Sequence, residues 1–91
     1  MTAMKRWSVE IYLDEHEEDG KTHAEARLHT ADTTHLRGHG SAKRDPADSS
    51  VPEIGDELAA ARALSALAHE LLHAAARDIE QVTHQPAHVH G

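Results

Sequence analysis

The sequence predicts an α+β fold, a three-stranded antiparallel β-meander packed on one long C-terminal helix in the order βββα. Three observations predict it. Apolar and polar residues alternate with a period of two in three separate stretches of the first half. Turn-forming residues stand between those stretches. The second half repeats its apolar residues with the period of a helix.

The first strand spans Arg6 to Leu13. Trp7, Val9, Ile11 and Leu13 point one way, while Arg6, Ser8, Glu10 and Tyr12 point the other. The polar run Asp14 to Gly20 ends in Asp-Gly, a strong turn signal. The second strand spans Thr22 to Thr30, with Ala24, Ala26 and Leu28 inward and His23, Glu25, Arg27 and His29 outward. Ala31 to Thr34 is a second turn. The third strand spans His35 to Ala42, with Leu36, Gly38, Gly40 and Ala42 on its inner face. Glycines there weaken the strand but let another backbone come close. Lys43 to Ser50 is a loop around Asp45-Pro46.

Ser50-Val51-Pro52-Glu53 fits a capping box, which opens a helix running to about Thr83. Ile54, Leu58, Ala61, Ala68, Leu72, Ala75 and Ile79 form one apolar stripe, expected to face the sheet. Leu64, Leu67, Leu71 and Val82 form a second stripe beside it. Such a helix is about 45 Å long against about 27 Å for eight-residue strands. The second stripe therefore lacks an intrachain partner, and a homodimer is expected in which helices, sheet edges or both meet, with Leu64, Leu67 and Leu71 as the candidate interface residues. One domain covers residues 5–84, and residues 85–91 form a flexible tail.

The chain has 91 residues, and 38% are hydrophobic, of which 16 are alanine. Few bulky side chains remain to build a core, which again favours a partner subunit. Cysteine is absent, which excludes a disulfide scaffold and a thiolate metal site. No apolar run reaches the roughly 18 residues of a membrane span. The start from Met1 to Arg6 shows no apolar secretory segment, so a cytoplasmic protein without membrane contact is expected. The net charge is −7. It is concentrated in residues 45–91, which hold 2 Lys/Arg against 8 Asp/Glu, whereas residues 1–44 hold 7 against 8.

Candidate chemistry is sparse. Arg6, Arg27, Arg37, Lys43 and Arg44, with several histidines, give the outer sheet face a local cationic character suited to RNA phosphates. That face lacks stacking aromatics apart from Tyr12. His69-Glu70-Leu71-Leu72-His73 spells H-E-x-x-H on a helix, the spacing of a zinc hydrolase. A third ligand is missing, and Gly and His do not follow where a metzincin needs them, at Ala76 and Ile79. His69 and His73 are therefore read as solvated or as adventitious metal binders, as are His84, His88 and His90 in the tail, with a metal-dependent hydrolase at His69, Glu70 and His73 as the remote alternative. The chain is expected to be no enzyme and to need no cofactor.

Several segments carry a family resemblance. They are Trp7-Ser8-Val9, Asp14-Glu15-His16-Glu17, Ala24-Glu25-Ala26-Arg27-Leu28, Gly38-His39-Gly40, Pro46-Ala47-Asp48, the block from Val51 to Leu58, Ala61-Arg62-Ala63-Leu64-Ser65 and the stretch from Asp78 to Pro86. In order and spacing the chain resembles the actinobacterial "domain of unknown function 1876" family from about Arg6 to Pro86. The resemblance implies a fold like that of double-stranded-RNA-binding domains (dsRBD-like) and a dimer. It also implies a link to dormancy, hypoxia and stress response, and a likeness to factors of ribosome hibernation. A non-enzymatic protein that contacts the ribosome or RNA is the function it suggests, with a pure homodimeric interaction module as the alternative. The chain departs from the family at Asp45, where Asn is expected, and in its extra histidines His29, His39, His69, His73, His88 and His90.

Overall fold

The computed structural model describes residues 2–31, 35–44, 52–87 and 89. Strands β1 (Ser8–His16), β2 (Lys21–His29) and β3 (Arg37–Lys43) form one antiparallel sheet in that order, and helix α1 (Pro52–Thr83) packs on one face. This is the α+β architecture that the alternation and the helical period predict. The turn at Asp32 to Thr34, the loop at Asp45 to Ser50 and the capping serine Ser50 lie outside the described residues, as do His88 and His90.

β1 extends three residues beyond Leu13. Asp14, Glu15 and His16 pair with His23, Thr22 and Lys21, so ladder hydrogen bonding overrides their polarity. The hairpin turn shrinks to Glu17–Gly20, and Gly20 supplies the left-handed conformation at φ +65°. β3 starts two residues later than alternation suggests. Leu36 sits just before it, half-buried against the core, and its carbonyl accepts from the Leu28 amide at 3.0 Å.

The largest difference from expectation is the helix face. Ala59, Ala63 and Leu67 are buried and Leu71 packs beside them, whereas Ile54, Leu58, Ala61, Ala68 and Ile79 are exposed. Leu72 and Ala75 are half-buried. The cause lies in β3. A Cβ built on Gly38 would stand 2.3 Å from the Ala63 carbonyl oxygen and the Leu67 amide nitrogen. One on Gly40 would stand 2.3 Å from the Ala63 nitrogen. The helix backbone therefore rests directly on β3, with Ala59, Ala63 and Leu67 along the line of closest approach. The two glycines of β3, not the size of the helix side chains, decide which helix face packs inward. The Arg62 guanidinium anchors the outer flank by donating to the Ser41 carbonyl at 2.7 Å.

The core is thin. Five alanines (Ala24, Ala26, Ala42, Ala59 and Ala63) and two leucines (Leu28 and Leu67) are its buried hydrophobic residues among those described. At the far end His84 turns left-handed at φ 59° and its amide donates to the Glu80 carbonyl, which stops the helix. The Ala87 amide then donates to the Glu80 side chain at 3.0 Å.

Candidate interaction surfaces

The helix lies mainly over β2 and β3 and meets β1 only slightly, so most of the inner face of β1 is left uncovered. Cross-strand register puts Ile11 beside Ala26 and Gly38, and Leu13 beside Ala24 and Gly40, on the face that α1 covers further along the sheet. Yet Trp7 is 54% exposed, Val9 41%, Ile11 39% and Leu13 45%. The half-buried strand expected from alternation is thus an open apolar floor. At 3.6 residues per turn, Leu64 lies on the helix flank opposite Arg62. Since Arg62 marks the β3 side, Leu64 stands above this floor, 42% exposed. Floor and flank together form an apolar trough.

Of the three leucines expected at a dimer interface, Leu64 lines the trough and Leu71 is half-buried between trough and core. Leu67 is 3% exposed inside the core and is not available to a partner. Sequence periodicity groups the three on one stripe, but the close approach of β3 takes the middle one. Trp7, Val9, Ile11 and Leu13 escape notice as surface residues because alternation alone does not say how far the helix reaches across a sheet.

The opposite face of the sheet carries the charges. Arg27 donates from Nε to Glu25 Oε1 at 3.0 Å and from Nη2 to Oε2 at 3.3 Å. Arg37 Nη1 reaches the same carboxylate at 3.4 Å. The hydrogen bond from Arg27 holds the Glu25 carboxyl below the usual carboxylate range, and Glu25 in turn raises Arg27. The Arg27 guanidinium also stacks on Tyr12, 4.2 Å from the ring centroid. The Tyr12 hydroxyl donates to Glu10 at 2.6 Å, which raises the phenol above its ordinary value. His29 lies 3.1 Å from Glu10, and His16 lies 3.0 Å from Asp14. The centre of this face is a network whose charges largely offset one another.

The five expected cations therefore do not form one patch. Arg27 and Arg37 face each other across β2 and β3 and share Glu25. Arg6 is exposed beyond the start of β1. Lys43 and Arg44 stand at the other end of β3, about 20 Å from Arg37 by strand rise. There Lys43 is directly opposite Lys21, a residue that the sequence reading passes over, and the Arg44 amide donates to the Gly20 carbonyl at 2.8 Å. Lys21, Lys43 and Arg44 enter no ion pair among the described residues, so they form the basic corner.

On the helix, His69, Glu70 and His73 are exposed, and the His69 Nδ1 position pairs with the Ser65 carbonyl at 3.0 Å. That bond turns His69 back along its own helix. Among the described residues no group of three or more histidines or carboxylates is placed to hold a metal ion. No helix among them is long and apolar enough to cross a membrane.

A separate carboxyl pair joins the sheet to the helix start. Glu15, on the inner face at the end of β1, hydrogen-bonds Asp56 in the first turns of α1. That contact, with Glu17 and Glu53 nearby, raises the Glu15 carboxyl above its ordinary value.

Comparison with known proteins places this geometry in a family. Uncharacterized protein Mb1767 of Mycobacterium bovis is 52% identical over 85 residues, covering 93% of this chain and 87% of that protein. Uncharacterized protein Rv2632c of Mycobacterium tuberculosis is 48% identical over 82 residues, covering 90% and 85%. The solved crystal structure of Rv2632c superposes with a TM-score of 0.80 at 45% identity, over 93% of this chain and 98% of that one. These relatives make the family an actinobacterial one. With residues 5–88 matched, the chain belongs to the Rv2632c-like family.

Proposed function

We propose that this chain is a non-enzymatic cytoplasmic protein that works as a homodimer, with the trough of β1 and the α1 flank as its interface. One observation carries the reading. Val9, Ile11 and Leu13 on the face of β1 that should be inside, with Trp7 just before the strand, stand 39–54% exposed. A contiguous apolar surface on a small chain marks an interaction site. The core beneath it holds only two side chains larger than alanine among the described hydrophobic residues, so an added subunit supplies burial that the chain alone lacks. The test is Ile11→Asp and Leu13→Asp, each examined by light scattering. Burying a charge in the trough should raise the dimer dissociation constant about a hundredfold or more. Dimers of undiminished strength in both variants would sink the interface.

A second reading rests on the basic corner. Lys21 opposite Lys43 is a like-charge pair, which disfavours the ladder unless an anion sits between them. With Arg44 beside them, the corner suits a phosphate of RNA, as on the ribosome. The resemblance to the domain of unknown function 1876, with its dormancy and hibernation link and its dsRBD-like fold, points the same way. Co-sedimentation with ribosomes across a salt series tests it. Charge reversal at Lys21, Lys43 and Arg44 should abolish salt-sensitive binding, while reversal at Arg27 and Arg37 should leave most of it. The opposite pattern would return the site to the centre of the sheet, and no binding by the unaltered chain would remove the reading.

A further inference from the structure

Among the described residues β1 pairs with β2 alone, so none of them covers its outer edge. A long edge strand with an apolar face is a template for another strand. The charges along β1 and its approach say which strand. Lys5 and Arg6 stand at its start, and Asp14 and Glu15 stand at its end. A strand basic at one end and acidic at the other is complementary to itself only in the antiparallel sense. Parallel pairing would set like ends together.

We infer that β1 pairs antiparallel with β1 of a second copy of this chain, in the register that sets Glu10 opposite Glu10 of the second copy. This inference rests on the homodimer reading and names its geometry.

The register follows from comparing the alternatives. With Glu10 on the two-fold axis, Val9 faces Ile11 of the second copy and Trp7 faces its Leu13 on the inner side. Lys5 then faces Glu15 and Arg6 faces Asp14, each pair occurring twice. Sliding by two residues one way sets Trp7 against Glu15 and leaves Arg6 against His16. Sliding the other way sets Lys5 against Leu13 and leaves Asp14 against Met4. Sliding by one residue puts apolar positions against polar ones along the whole strand. The chosen register has one cost, Glu10 facing its own copy. That carboxylate is already engaged within each chain, accepting a hydrogen bond from the Tyr12 hydroxyl at 2.6 Å and lying 3.1 Å from the His29 ring. The result is a six-stranded sheet in which both apolar floors lie side by side between the two helices. The Leu64 flanks then wall a single trough from both sides.

The chain has no cysteine, which makes the test clean. Residues opposite each other in antiparallel strands have Cα atoms roughly 4.5–5.5 Å apart, inside the range of a disulfide. Glu10→Cys should therefore form a disulfide-linked dimer under mild oxidation. Ser8→Cys should not, because the two Ser8 positions would lie about 14 Å apart along the strands. In a second arm, Arg6→Glu should weaken the dimer about tenfold, and adding Asp14→Arg should restore it. Linking of Glu10→Cys alone, with rescue by the charge swap, is the expected result. A dimer by light scattering in which Glu10→Cys does not link and the swap does not rescue would overturn this pairing while leaving the homodimer. A monomeric unaltered chain would overturn both.

Discussion

A methyl group at Gly38 or Gly40 has nowhere to go, since the helix backbone already occupies its place. Gly38→Ala should therefore destabilise the fold by about 3 kcal/mol or more, read from urea denaturation. Two carboxylates carry opposite pH signatures. Glu25 has its folded pKa lowered, chiefly by the Arg27 hydrogen bond. Its stabilisation is present above the unfolded value and is lost as pH falls through the folded one. Glu25→Gln should be less stable than the unaltered chain near neutral pH, with the gap closing in acid. Glu15 has its folded pKa raised by Asp56. The pair is most favourable below the unfolded value, and that advantage is lost as pH rises through the folded one. Asp56→Asn should accordingly gain on the unaltered chain as pH rises from acid to neutral. Thermal melts across the pH range read both variants, and parallel profiles would contradict the assigned contacts.

At the scale of elements, two leucines one turn apart should behave differently. Leu67→Ala opens a cavity in the core and should cost about 3 kcal/mol. Leu64→Ala, on the exposed flank, should change unfolding little at low protein concentration and weaken self-association instead. Equal effects on stability would mean that the helix presents another face to the sheet. The existence, type and order of all four elements were legible in the sequence, because alternation and helical period are local signals. The rotation of α1 was not, because it depends on what β3 tolerates. Gly38 and Gly40 gave the clue to a close backbone approach, but apolar size pointed to Ile54 and Leu58 as the buried side, and both are exposed. The basic face was legible as composition. Its neutralisation was not, since Glu25 sits between Arg27 and Arg37 only through the register of β2 and β3. Lys21 joined Lys43 for the same reason.

For the whole molecule, shape and burial point to assembly. The principal extents are 53 × 30 × 21 Å, an elongated body in which a 32-residue helix outruns its sheet. An alanine core brings the layers close together but removes little apolar area from water. The large side chains sit instead on β1 and along the exposed parts of the helix. A chain that leaves Trp7, Val9, Ile11 and Leu13 open gains by covering them, and self-complementary charge around the two ends of β1 favours its own copy as the cover. The measurement that tests this most directly is sedimentation equilibrium of the unaltered chain over a range of micromolar concentrations. Homodimerisation predicts a mass twice the 9.9 kDa of the chain, falling toward the single-chain value on dilution. A mass of one chain at every concentration would contradict it.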